Sequence, residues 1–266
     1  MSKIIHLSDL HIGHKELGKR AWGIANRIIL NKPNGSDYVI VLTGDLVEDG
    51  FNTNSLIEAK QLVDYLKAAK FRVLVVPGNH DVGNGGFSTK EVSRNFLKMF
   101  FDDEKKVTFP RLDVIHDTAF IGLNSMEEET GIFDGGISAE GELGQKQIDR
   151  LAKMLDRKTV QKCKYRVVYL HHHPLDYRPF LYLKDATELR NTLDKYEIDA
   201  LLYGHYHDGD VWNGTWETVP RIYDGGSSTN KGDASYPHRV IDLSKHPDTD
   251  YDGKFLSDSI RNSTEG

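Results

Sequence analysis

Apolar residues along this chain fall in short runs that alternate with longer stretches of helical period. The runs at 3–7, 38–42, 72–76, 119–123, 166–170 and 199–203 are rich in Val, Ile, Leu and Tyr, and their pattern predicts buried strands. Between them the period changes. Residues 55–70 put Leu56, Ala59, Leu62, Val63, Leu66 and Ala69 on one helical stripe, and residues 143–155 do the same with Leu143, Ile148, Leu151, Met154 and Leu155. A helix over 185–197 buries Leu189, Leu193 and Tyr196 and opens with Asp185 and Glu188 at capping-box spacing. Another helix is expected over 89–101, and short strands at 215–219, 221–223 and 239–243. Early β–α alternation implies parallel strands joined by crossovers, so the pattern predicts a mixed α/β sandwich. One domain is expected over 1–266, with 82–111 a cap-like insertion and a polar tail from 245 that is mobile at its end.

Composition narrows the function. With 38% hydrophobic and 28% charged residues, the chain can bury a sizeable core. A net charge of −6 argues against broad binding to nucleic acid or to anionic membranes. The apolar runs are too short to span a bilayer, and the opening residues lead straight into a strand without a signal-peptide pattern. Cys163 is the single cysteine, which fits a reducing compartment, so a cytoplasmic location is expected.

The chemistry lies where the strands end. Successive runs finish in Ser8-Asp9-Leu10-His11, Thr43-Gly44-Asp45, Pro77-Gly78-Asn79-His80-Asp81, His171-His172-His173-Pro174 and Gly204-His205-Tyr206-His207. Carboxyl ends of strands form the ligand-binding edge of open α/β sheets, so five such junctions can converge. Carboxylate and imidazole suit Zn, Mn or Fe. Asp9, His11, Asp45, Asn79, one of the three histidines at 171–173, His205 and His207 offer more donors than the four a single zinc site takes. The set fits two ions about 3.5–4 Å apart that share a carboxylate and hold a hydroxide between them. Gly44, Gly78 and Gly204 are expected to permit tight turns at these junctions.

These blocks resemble the calcineurin-like metallophosphoesterases, whose pattern is Asp-X-His, Gly-Asp, Gly-Asn-His-Asp/Glu, a His before proline, and Gly-His-X-His. The match runs from Asp9 to His207, about three quarters of the chain. The resemblance implies a four-layer α/β/β/α sandwich with two mixed sheets and a metal site at strand carboxyl ends. By matching position it gives one ion to Asp9, His11, Asp45 and His207 and the other to Asp45, Asn79, His172 and His205, with Asp45 bridging. It selects His172 as the histidine two residues before Pro174. His80 would assist the leaving oxygen and Asp81 would orient it. The cofactors implied are two divalent or trivalent ions, Mn, Fe or Zn.

Departures from the pattern point to a branch. Gly44-Asp45-Leu46-Val47-Glu48-Asp49-Gly50 lacks the arginine of the protein Ser/Thr phosphatases, and His80 stands where lipid A pyrophosphatases tend to carry arginine. The chain looks most like bacterial cyclic-nucleotide and glycerophosphodiester phosphodiesterases. The expected substrate is therefore a small phosphodiester. Nuclease, nucleotide or phospholipid hydrolase, phosphomonoesterase and a silent metal-binding scaffold stay open as alternatives, and a homodimer is compatible with the family. His14 and Lys15 are candidates for the pocket mouth and Arg178 for gripping a substrate phosphate, with a solvated loop and a surface ion pair as their respective ordinary readings. Trp212 and Trp216 read as core, His6 as structural and His173 as an outer-shell or pocket residue. His116, His238 and His246 lie outside any constellation.

Overall fold

The computed structural model describes residues 3–101, 107–129, 139–229 and 238–252. Among the described residues, ten strands form two five-stranded sheets. In the first, β1 (Lys3–Leu7) pairs in parallel with β2 (Tyr38–Leu42), which pairs in parallel with β3 (Arg72–Val75). On the other side β1 meets β9 (Arg239–Asp242) antiparallel, and β9 meets β10 (Tyr251–Asp252). The second sheet runs β4 (Arg111–Ile115), β5 (Thr118–Gly122), β6 (Tyr165–Tyr169), β7 (Ala200–Tyr203) and β8 (Ile222–Asp224), parallel except for the β4–β5 hairpin.

Strand alternation divides the interior in two. Phe120, Val167, Tyr169, Ala200 and Leu202 face the first sheet and share its core. The residues between them, Ala119, Ile121, Val168, Leu170, Leu201 and Tyr203, turn to the opposite face. Helices complete the layers. On the first sheet α1 (Leu17–Asn31) lays down Ala21, Ile24, Ala25 and Ile28, α2 (Thr53–Ala68) lays down Leu56, Ala59, Leu62, Val63 and Leu66, and α3 (Lys90–Phe100) adds Phe96 and Phe100. On the second, α4 (Gln145–Leu155) brings Ile148, Leu151 and Leu155, and α6 (Ala186–Leu193), which follows the single turn α5 (Lys158–Gln161), brings Leu189 and Leu193. Each of the larger apolar side chains among these contributes about 1.5–3 kcal/mol by leaving water. The layer order is helix, sheet, sheet, helix, as the resemblance implied.

Two local expectations need correction. Residues 215–219 form turns, because Trp216 and Val219, three apart, both bury in the second core while Val219 N–H donates to the Trp216 carbonyl (3.0 Å). Asp185 does not cap α6; its carboxylate accepts from Leu143 and Gly144 N–H instead, the latter at 2.8 Å. Helix α1 and strand β4 were not anticipated. The side chains of Asn52 and Thr89 do cap α2 and α3, each worth about 1 kcal/mol. The 82–111 segment splits within its described part: 82–89 lies beside the Asn79-His80 loop, and α3 packs on the first core. Most of the polar tail, from 253 on, lies outside the described residues.

Candidate metal centre

Strands β1, β2, β3, β6 and β7 all deliver their carboxyl ends to one edge, and the loops there are stitched together. Asp9 N–H donates to the Gly44 carbonyl (3.1 Å), His11 N–H to the Asp45 carbonyl (3.0 Å), and Gly204 N–H to the His171 carbonyl (2.9 Å). Asp9, His11, Asp45, His205 and His207 all sit at positive φ, between 46° and 76°. Left-handed backbone costs non-glycine residues on the order of 1–3 kcal/mol each, and such strain concentrates at functional sites. Of the three glycines expected in tight turns, only Gly44 has positive φ, at 91°. Gly78 and Gly204 serve close approach instead. A Cβ on Gly78 would lie 2.1 Å from Asp45 Oδ1, and one on Gly204 would lie 2.4 Å from Asp9 Oδ2.

Two groups of donors result. In the first, His207 Nε2 lies 3.0 Å from Asp9 Oδ1 and 3.1 Å from His11 Nε2. In the second, His171 Nε2 lies 2.9 Å from Asn79 Oδ1, 3.1 Å from His205 Nδ1 and 3.3 Å from Asp45 Oδ2. Asp45 stands between them, within reach of Asp9 and His171 on one side and of His11 and His80 on the other. The hydrogen bonds around these groups turn protons outward and lone pairs inward. His171 Nδ1 is 2.8 Å from the Thr43 carbonyl, so its N–H is spent there, and the Asn79 amide donates to the Gly85 carbonyl (3.0 Å). His11 Nδ1 faces Glu48 Oε2 at 2.9 Å. Converging lone pairs of this kind suit a cation, and the outer partners fix each ligand's direction.

Electrostatics agree. Burial pushes the Asp45 carboxyl up, but the charges of His171, His80 and His11 more than offset it and hold the group well below the usual carboxylate range. Burial likewise opposes charge on His171 and His207, yet Asp45 raises the first to about 9 and Asp9 the second to about 9. The metal-free protein therefore gathers positive charge between its two buried carboxylates.

All seven predicted ligand positions reach this edge, and His171 joins them there. His172 points away. Its Nδ1 lies 2.7 Å from Ser125 Oγ and its Nε2 3.0 Å from the Ala139 carbonyl, so both nitrogens are engaged. His173 is stacked on Tyr206, and its Nδ1 accepts from Leu175 and Asp176 N–H, which makes it a turn-holding residue in an aromatic nest. Strand parity explains the sorting. Val167 and Tyr169 face the first sheet, so His171 continues toward Asp45, whereas His172 continues the outward row of Val168 and Leu170.

His80 is held at Nδ1 by the Glu48 carbonyl (2.7 Å), with its ring edge-on to His11 at 4.9 Å. Asp81 does not orient it. The Asp81 carboxylate accepts from Val47 N–H (3.1 Å) and Gly78 N–H (2.9 Å), tying two site loops together below the ring. Glu48 and the Ser227-Ser228-Thr229 run were missed. Ser227 donates to the Asp9 carbonyl (2.9 Å), Ser228 Oγ accepts from Ser8 N–H (3.1 Å), and Thr229 donates to the Leu10 carbonyl (2.8 Å), clasping the first loop. The only sequence signal was Glu48 lying three residues past Asp45.

The remaining candidates take their ordinary readings. His14 lies 3.3 Å from Glu48 at a half-exposed position, and Lys15 occupies a positive-φ turn. Arg178 is paired with Asp176 and Asp208 over the Tyr206 ring. Trp216 is core and Trp212 packs against it, while His6 is buried 3.0 Å from Thr43 Oγ1. A cavity of about 900 Å³ between β3 and β4 is lined by none of the site residues.

The chain matches the Calcineurin-like phosphoesterase family over residues 2–209. It belongs to that family. It is therefore a metal-dependent phosphoric ester hydrolase. It is 28% identical over 214 residues, 77% of this chain and 78% of the relative, to a probable cyclic nucleotide phosphodiesterase of Vesicomyosocius okutanii. It is 25% identical to one of Coxiella burnetii, over 77% of this chain and 76% of that protein. Two solved structures share the fold. A Thermus thermophilus protein aligns with TM-score 0.60 at 12% identity, over 94% of this chain and 97% of that one. The purple acid phosphatase of yellow lupin (Lupinus luteus) aligns with TM-score 0.59 at 15% identity, over 85% of this chain and 44% of that one. Among the described residues no helix is long and apolar enough to cross a membrane.

Proposed function

We propose that this phosphoesterase is a phosphodiesterase acting on small diesters such as cyclic nucleotides, with two ions shared across Asp45. The observation that carries the two-ion reading is the pair of inward-facing donor groups that meet at that carboxylate. The first ion is assigned to Asp9, His11, Asp45 and His207. The second is assigned to Asp45, Asn79, His171 and His205, with His171 replacing His172. Bound there, the ions supply charge to the phosphoryl oxygens and lower the pKa of water, whichever of Mn, Fe or Zn is used. Glu48 and Thr43 aim His11 and His171. His80, fixed by the Glu48 carbonyl, stands beside the shared carboxylate to give a proton to the departing alcohol oxygen.

Two further points favour a diester. The relatives above bear that activity in their names. Arg178, the candidate phosphate grip beside the site, is spent on Asp176 and Asp208, which suits a singly charged diester better than a dianionic monoester. We place the protein in the cytoplasm, where the lone buried Cys163 stays reduced.

The assignment is tested by metal content after chelation and reloading. Wild type and His172→Ala are expected to hold two ions per chain, and His171→Ala one. A His171→Ala protein that keeps both ions, with His172→Ala losing one, returns the site to the His172 assignment.

A further inference from the structure

Beside His80 the surface carries an aromatic pair that the fold leaves in water. Phe51 and Phe87 stack with ring centroids 6.0 Å apart and planes 11° from parallel, yet they are 45% and 44% exposed. Neither belongs to a core cluster. Single exposed apolar side chains are ordinary. This pair is different because both members sit on turns pinned to the His80 segment.

Phe51 follows Gly50, whose N–H lies 2.8 Å from the His80 carbonyl and 2.7 Å from the Gly83 carbonyl. A Cβ on Gly50 would meet the Asp81 carbonyl oxygen at 2.4 Å, so this loop lies directly on the His80-Asp81 backbone. Phe87 closes a turn that begins at Asn84. Asn84 N–H donates to the Phe87 carbonyl (3.0 Å), and Phe87 N–H donates to Asn84 Oδ1 (3.0 Å). The corner of that turn, Gly85, leans on the His80 imidazole so closely that a Cβ there would lie 2.5 Å from Nε2. Its carbonyl also holds the Asn79 amide. Two rigid turns thus connect the stacked rings to the two residues Asn79 and His80.

We propose that Phe51 and Phe87 form a stacking subsite for the planar aromatic part of the substrate, a nucleobase carried by the alcohol that leaves toward His80. This rests on the diesterase reading and names its substrate class. Stacking on an aromatic face is tolerant of base identity, since every base has a π-face. The subsite therefore favours nucleotide esters over aliphatic ones without selecting one base. Asn84 and the glycines at 83, 85 and 86 leave the rings uncovered by larger neighbours on their own loop.

The test uses binding to the metal-loaded protein by titration calorimetry, with AMP and ribose 5-phosphate as probes that differ by the base alone. Wild type is expected to bind AMP more tightly by on the order of tenfold or more, the scale of one stacked base. In Phe51→Leu/Phe87→Leu, which keeps apolar bulk, that ratio is expected to fall toward one while ribose 5-phosphate affinity and metal content hold. A wild-type ratio near one, or a ratio unchanged in the double variant, overturns the subsite. Failure of the diesterase reading shows separately, as an absence of diester turnover by the wild type.

Discussion

Metal binding at the second donor group has to displace a proton, and the structure sets how much this costs. In the metal-free protein burial disfavours charge on His171, but the Asp45 carboxylate, with Asp9 and the Thr43 carbonyl, raises its pKa to about 9. Its Nδ1–H is held by Thr43, so Nε2 is the atom that must lose its proton to a cation. Between pH 7 and about 9 each unit changes apparent affinity tenfold. The span of two units amounts to a factor of about 100, or about 2.7 kcal/mol. The sign is fixed: affinity strengthens as pH rises and levels off above about 9. His207 adds in the same direction, but its partly exposed ring lies nearer solvent and its share is discounted for screening. Calorimetric titration of Mn²⁺ into chelated protein, in two buffers of different ionisation enthalpy at pH 7, counts the protons released. At least one is expected from the second site, and His171→Ala should abolish it. Zero release, or affinity flat from pH 7 to 9, refutes the reasoning.

Other expectations follow from the same geometry. The metal-free protein should be acid-labile: burial holds His6 and His172 at about 3 and His173 and His238 at about 4, so the unfolded chain takes up more protons as pH falls below about 6.5. Urea midpoints should drop steadily from pH 6.5 to 5, and a flat profile would contradict this. Gly78→Ala should lose bound metal while the rest of the fold persists, because its Cβ would lie 2.1 Å from Asp45 Oδ1; circular dichroism and metal analysis read the two separately. Glu48→Gln should weaken the first site by about 10–100-fold, the usual effect of losing a ligand's outer partner, seen by chelator competition. His80→Ala should keep both ions and slow alkyl-leaving diesters by about 10²–10⁴-fold, with less effect on nitrophenyl esters; equal losses on both would remove its proton-donor role.

The convergence of these donors was legible because each stands at a strand end, where an apolar run stops abruptly. Asp9, Asp45, Asn79, His205 and His207 needed no more than that. Within the histidine triplet, spacing to Pro174 marks His172, while period-2 parity from Val167 and Tyr169 carries His171 toward Asp45. Asp81 was misjudged because a neighbour in sequence is not a neighbour in space: the turn carries its carboxylate down to two backbone N–H groups. Helix α1 was hidden because its buried stripe includes two alanines, Ala21 and Ala25, and its first residue has no side-chain cap. Strand β4 is a partly exposed edge with charged residues at Arg111 and Asp113, so its apolar signal is weak. The Ser227-Ser228-Thr229 clasp bonds to backbone carbonyls and amides more than 200 positions away, which no local pattern records.

Metal-dependent hydrolysis of phosphodiesters at this donor set can be measured directly. Chelated protein reloaded with Mn²⁺, and in parallel with Zn²⁺ and with iron, should be compared on bis-p-nitrophenyl phosphate and p-nitrophenyl phosphate. Turnover is expected to appear only with metal and to favour the diester strongly. Preference for the monoester, or no turnover with any of the three metals, would contradict the claim.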